Sequence, residues 1–149
     1  MPASKPISVL LVDDDPLVLT STSRFLRRCG MRATCATSPF GVSALVLKES
    51  PDVLVLDCHM PGLDGARLAR LVRATARAAA TRLVFYSGDS DVGLATLARA
   101  FDARYACKGA DPSALIEAIE AALQDGARAG ARSPTPGSPR SIHEFCNTQ

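Results

Sequence analysis

The segment Val53-Leu54-Val55-Leu56-Asp57 constrains this chain more than any other. Four apolar residues run directly into one carboxylate. Ser50-Pro51-Asp52 precedes the run and Pro61-Gly62 follows it. A short, unbroken apolar run between turn signals is the pattern of a strand covered on both faces, in the middle of a parallel sheet. Asp57 then stands at the carboxyl end of a central strand, where open α/β sheets bind their ligands. A carboxylate there is a nucleophile, a metal ligand or a strand terminator, and the rest of the chain has to decide which.

The remaining sequence alternates strand-like and helix-like segments, without an internal repeat. Ile7–Val12 reads as a first strand and ends at Asp13-Asp14-Asp15-Pro16. Asp15 is suited to cap a helix and Pro16 to its first position. Val18, Thr22, Phe25 and Cys29 recur at helical spacing, and Gly30 ends the helix. Met31–Ala36 is a weaker second strand. Ser38-Pro39 is expected to cap a helix reaching about Lys48, with Ala44, Leu45 and Lys48 inward. After the central strand, Asp64 is expected to cap a helix through Leu68, Leu71 and Val72, ending near Ala79, with Arg67, Arg70, Arg73 and Arg77 on a solvated face. Thr81–Ser87 gives a fourth strand, built on Arg82-Leu83-Val84-Phe85-Tyr86. Residues 90–101 give a helix with Leu94, Leu97, Ala98 and Phe101 on one side. Arg104–Cys107 gives a fifth strand. Asp111-Pro112 repeats the cap-and-proline device before a last helix with Leu115, Ile116, Ile119 and Leu123 inward.

Strands alternating with helices imply an α/β fold, a parallel sheet with helices on both faces and right-handed crossovers. For this length the doubly wound, flavodoxin-like order 2-1-3-4-5 is expected. Residues 1–5 are read as a disordered start, 6–124 as one domain and 125–149 as a flexible Pro/Ser/Arg-rich tail, because apolar periodicity is lost there.

Composition narrows the partners. A formal charge of +2 over 149 residues gives no field directed at nucleic acid or an anionic membrane. No apolar run approaches membrane-spanning length. The N-terminus is too short and polar for a signal peptide. The five cysteines have no C-x-x-C spacing, which suits a reducing compartment, the cytoplasm. His59 and His143 lie far apart and lack zinc-ligand spacing. The stretch after residue 125 is too short and too poor in apolar residues for a DNA-reading helical module, so no effector domain and no direct nucleic-acid contact are expected.

In the expected order the first and third strands are neighbours. Asp13 and Asp14 therefore approach Asp57, and Ser87 and Lys108 end or follow strands on the same rim. Two like charges about 4 Å apart repel by roughly 4 kcal/mol at an effective dielectric near 20, against a domain stability of about 5–15 kcal/mol. A hard dication with oxygen ligands, Mg²⁺, relieves this cluster better than one flexible lysine. Acids, a hydroxyl and a lysine around Mg²⁺ are the parts needed for phosphoryl transfer to aspartate. Asp57 is the expected nucleophile. Mg²⁺ and Lys108 offset charge on the transferring oxygens, and Ser87 hydrogen-bonds one of them.

These residues resemble a receiver domain of a two-component response regulator. The likeness is carried by Val12-Asp13-Asp14, by Asp57-x-x-Met60-Pro61-x-x-Asp64-Gly65, by Ser87-Gly88, by Tyr105 and by Lys108. It covers roughly residues 6–124. The resemblance implies Asp57 as phosphoacceptor and Asp13 and Asp14 as metal-side acids, Asp14 the direct ligand. It implies the backbone carbonyl of His59 as a further metal ligand. It makes Ser87 and Lys108 the phosphate-contacting pair and Tyr105 a rotameric switch on the face of the fourth helix, fifth strand and fifth helix. His59 and Asp89 stand where the family's side chains tune phosphoryl lifetime. The implied partners are a histidine kinase or phosphotransfer protein, and a downstream protein at that face. The implied state is a monomer or a phosphorylation-linked dimer, with no enzymatic turnover beyond self-phosphorylation and self-dephosphorylation.

Two features depart from the family: His59 and Asp89 at the lifetime-tuning positions, and Gly109. Gly109 follows Lys108 where proline is usual, so a trans bond and a looser loop are expected. His59 replaces the second acid that an aspartate-nucleophile phosphatase of the haloacid-dehalogenase type needs, which ranks that rival low. Gly109 is also the one feature favouring a pseudo-receiver that docks without phosphorylation. A third reading is the receiver fragment of a larger transcriptional regulator.

Overall fold

The computed structural model describes residues 4–60, 65–75, 80–88, 92–109 and 111–131. Strands β1 (Ser8–Val12), β2 (Arg32–Ala36), β3 (Val53–Leu56), β4 (Arg82–Ser87) and β5 (Arg104–Cys107) alternate with helices α1 (Pro16–Arg28), α2 (Val42–Glu49), α3 (Gly65–Arg73), α4 (Val92–Ala100) and α5 (Ser113–Ala131). The sheet is parallel in the order β2-β1-β3-β4-β5, as expected.

Alternation along each strand divides the core in two. Leu10, Val12, Leu54, Leu56, Leu83 and Phe85 face α2, α3 and α4. Val9, Leu11, Val53, Val55, Val84 and Ala106 face α1 and α5. All four β3 residues are buried, which accounts for the unbroken apolar run.

The helix faces differ in detail from the sequence reading. In α1 the Asp15 cap is present, its Oδ1 accepting from the Leu17 N–H at 2.9 Å. The buried positions are Leu19, Ser23 and Leu26, one residue on from the expected stripe, and Cys29 is exposed. Helix α2 starts at Val42, behind a turn that ends at Gly41 in the left-handed region, φ 82°. The late start rotates the helix, so Val42 and Val46 are buried with Leu45 partly covered, while Ala44 and Lys48 are exposed. In α3 the inward residues are Gly65, Leu68, Ala69 and Val72, and Leu71 is exposed. The Asp64 cap and the expected end near Ala79 lie outside the described residues. Arg73 is not on a solvated face. It donates to the carbonyls of Thr81 (3.1 Å) and Phe101 (3.5 Å), joining α3 to the strand entry and to the α4–β5 turn.

The expected tail boundary is also displaced. Helix α5 continues through Gly126 to Ala131. Arg82 donates to the Ala122 carbonyl at 3.1 Å, and Asp125 accepts from Arg104 at 2.7 and 3.0 Å. A Cβ at Gly126 would stand 3.0 Å from the Arg82 side chain. Packing against β4 and β5 thus overrides the helix cost of glycine, about 1 kcal/mol. The remainder of the expected tail, from residue 132, lies outside the described residues.

Candidate functional site

Three backbone hydrogen bonds carry the parallel ladder one residue past the strand ends and so place the site. The Asp13 N–H donates to Ala36 at 3.2 Å, the Asp57 N–H to Val12 at 3.0 Å and the Lys108 N–H to Ser87 at 2.7 Å. The site residues are therefore fixed at their backbones by the sheet itself.

Asp13 and Asp57 are buried, Asp14 is exposed, and each offers a carboxylate oxygen within 4.8 Å of the other two. Each buried carboxylate has one oxygen held by backbone. Asp13 Oδ1 accepts from the Asp15 N–H at 2.9 Å, and Asp57 Oδ1 accepts from the His59 N–H at 3.2 Å. The other oxygens face Lys108, whose Nζ lies 2.5 Å from Asp13 Oδ2 and 3.6 Å from Asp57 Oδ2.

Among the described residues, the Lys108 ammonium thus pairs with two of the three clustered carboxylates. Burial pushes the Asp57 carboxyl up from 3.8, and the charges of Asp13 and Asp14 act in the same sense. The His59 N–H and Lys108 oppose them without prevailing. Burial alone would pull Lys108 down. The Asp13 hydrogen bond and the Asp57 charge outweigh it, leaving the ammonium above 10.5. The upward shift of Asp57 is chiefly a burial effect; the excess of negative charge is read from the three clustered carboxylates themselves. Hard oxygen donors with an excess of negative charge fit a small dication. Asp13, Asp14 and Asp57 are the side chains able to hold one.

Close packing fixes the floor of the site. A Cβ at Gly65 would fall 2.9 Å from the Asp57 carbonyl oxygen and 3.0 Å from the Cys58 Cα. Both neighbours are backbone and cannot yield cheaply. Gly65→Ala is expected to destabilise by about 1–3 kcal/mol and to lower the urea midpoint. An unchanged midpoint would mean that α3 can slide away from β3.

Of the other expected residues, Ser87 is buried at the end of β4, opposite Cys107 on β5. Tyr105 is 45% exposed on β5. It lines a groove with Ala98, Arg99, Arg104, Asp125 and Arg128. His59 is exposed beside Asp57. The peptide bond after Lys108 is trans, since the described residues contain no cis bond, and Gly109 has φ 85°. That left-handed angle is costly for other residue types. Asp64 and Asp89 lie outside the described residues.

Sequence reasoning missed Tyr86. Its ring centroid lies 5.8 Å from Lys108 Nζ, and it lines a small cavity shared with Asp13 and Asp57. The available signal was alternation: next to Ser87 in β4, residue 86 must take the opposite face.

Comparison with known proteins agrees with this geometry. The family model described as the response regulator receiver domain matches residues 9–120. The transcriptional regulatory protein AfsQ1 of Streptomyces coelicolor is 32% identical over 131 residues, which is 88% of this chain and 57% of that protein. The transcriptional regulatory protein CseB of the same organism is 33% identical over 87% of this chain and 55% of its own length. The chain thus spans little more than half the length of these relatives. Among solved structures, a LuxR-family two-component response regulator from Aurantimonas is 28% identical with a TM-score of 0.72, covering 95% of this chain and 98% of that one. The chemotaxis protein CheY4 of Vibrio cholerae shares the fold, with a TM-score of 0.73 at 22% identity over 80% of this chain and all of its own.

Proposed function

Since the chain belongs to the response regulator receiver domain family, we propose that it is a Mg²⁺-dependent phospho-aspartate switch with Asp57 as phosphoacceptor. The observation that carries this reading is the clustering of the Asp13, Asp14 and Asp57 carboxylates, with Lys108 paired to Asp13 and Asp57.

Asp57 Oδ2 is the oxygen not held by the His59 N–H, and it is the nucleophile. It forms a bond to the phosphorus of a phosphohistidine on a histidine kinase or phosphotransfer protein. The phosphorus–nitrogen bond breaks, and its electron pair stays on the donor's imidazole. A dication held by Asp13, Asp14, Asp57 and the backbone carbonyl of His59 would favour the ionised form of Asp57 and neutralise charge on the phosphoryl oxygens. Lys108 leaves Asp13 to pair with a phosphoryl oxygen, and Ser87 donates to another. Tyr105 turns inward from its exposed position, and the surface of α4, β5 and α5 changes its affinity for a downstream protein. The phosphorylated form shifts a population, so the phosphoryl group must bind one arrangement better than the other. His59 and Asp89, at the sequence positions that the family likeness assigns to this role, tune the lifetime of the acyl phosphate. The protein acts by binding rather than turnover, in the cytoplasm, as a monomer or a phosphorylation-linked dimer. Among the described residues no helix is long and apolar enough to cross a membrane.

A second reading has its own support. The relatives named above are transcriptional regulators nearly twice as long as their matched portion. On that reading the same switch controls a DNA-binding region, and contact with nucleic acid occurs outside the receiver.

Titration with beryllofluoride and Mg²⁺ tests the switch. The amide resonances of Ser87 and Tyr105 are expected to shift with both additives together and not with either alone. Unmoved resonances would leave the pseudo-receiver in place.

A further inference from the structure

We infer that Tyr86 is a positioning residue that holds the ammonium of Lys108 within reach of Asp57. This rests on the proposed role of Lys108 toward the phosphoryl group.

The need for such a contact comes from the loop. The Lys108 backbone is fixed at its N–H by Ser87. The next residue, Gly109, is a glycine at φ 85° and adds no rigidity beyond that point. The side chain is a flexible four-carbon stem, with rotamer entropy to lose on being held. Two carboxylates hold its head, Asp13 at 2.5 Å and Asp57 at 3.6 Å. Both are groups that a dication and a phosphoryl group would claim. When they are claimed, the lysine must exchange partners, and an unrestrained stem would swing into solvent.

The Tyr86 ring is a neighbour whose charge does not change during that exchange. Its centroid is 5.8 Å from Nζ, within cation–π range. The ring is half-buried and packs on the core between the sheet and helices α1 and α5. It lines the small cavity that also touches Asp13, Asp57, Val18 and Thr22. A ring held against a packed core offers a steady wall, so it can restrain the lysine in both states. The contact depends on the π face and not on the hydroxyl.

The first measurement needs no variant. A ring-current displacement of the Lys108 ε-methylene protons is expected in the unmodified protein, assigned by their loss in Lys108→Arg. Shifts equal to those of an exposed lysine overturn the inference. The second compares beryllofluoride affinity in the presence of Mg²⁺. Tyr86→Phe is expected to match the unmodified protein and to keep the displaced shifts. Tyr86→Leu is expected to lose the shifts and to bind about two- to fivefold more weakly, the scale of an exposed cation–π contact. Equal binding by Tyr86→Leu, or equal weakening in both variants, would contradict a role for the ring. Failure of the unmodified protein to bind beryllofluoride at all, with the shifts still displaced, would remove the proposed function and leave the contact standing.

Discussion

Asp57→Asn abolishes the gain of one phosphoryl group by intact mass when the protein is incubated with acetyl phosphate and Mg²⁺. The carboxamide oxygen can still accept the His59 N–H, so local geometry is retained and only the nucleophilic charge is lost. Asp13 and Asp14 sit within 4.8 Å of Asp57 and are the residues best able to substitute as acceptors. They are expected to stay unmodified, because Asp13 has one oxygen committed to the Asp15 N–H and the other to Lys108, and Asp14 lies outside the buried floor. A phosphoryl group on the Asp57→Asn protein would move the acceptor to another side chain. Acetyl phosphate without Mg²⁺ is expected to leave the unmodified protein unlabelled.

The second large effect is on stability, and its sign differs between the partners. Lys108→Met removes the only ammonium in contact with Asp13 and Asp57 among the described residues, leaving two buried carboxylates facing each other. Breaking a buried pair from one side costs about 3–5 kcal/mol. The rim is open at Asp14, so about 3 kcal/mol is expected in metal-free buffer, read as a lowered urea midpoint. Asp57→Asn has the opposite effect, since it removes a charge that burial disfavours and the neighbouring acids repel. Linkage fixes its pH dependence. The folded carboxyl of Asp57 is raised above 3.8, so the folded state binds the proton more tightly than the unfolded chain. The resulting stabilisation is complete below 3.8 and lost as pH rises through the folded value. The advantage of Asp57→Asn over the unmodified protein is therefore expected at neutral pH and to vanish toward pH 3.8. Lys108, raised above 10.5, contributes stability that persists until alkaline pH. Mg²⁺ is expected to narrow both differences. An Asp57→Asn protein less stable than the unmodified one in metal-free buffer would contradict a charge-stressed site.

The legible parts of the molecule were those where one residue type at one position settles the outcome. Asp57 after four apolar residues located a strand end, and Asp13, Asp14, Ser87 and Lys108 followed because the strand order puts their strands side by side. The Asp15–Pro16 cap was legible because it is local. Helix faces were harder. In α1 the serine at 23 is buried with its hydroxyl bonded back to Thr20, which a hydropathy pattern cannot foresee. In α2 the turn at Gly41 delays the first turn and changes which residues face inward. The course of α5 past residue 125 follows from Arg82 and Arg104, distant in sequence, bonding to it at Ala122 and Asp125. Tyr86 was only half legible, since alternation in β4 gives its face but not its contact. An aromatic residue in a buried strand reads as core, and only the partner contributed by β5 reveals a second role.

A crystal structure of the protein with Mg²⁺ and beryllofluoride tests the central claim most directly. The expected result is a beryllofluoride group on Asp57 Oδ2, a cation between it and Asp13 and Asp14, and Lys108 moved from Asp13 to a fluorine. Density for neither group, with Lys108 still bonded to Asp13, would contradict the phosphoacceptor reading and leave the family fold without its chemistry.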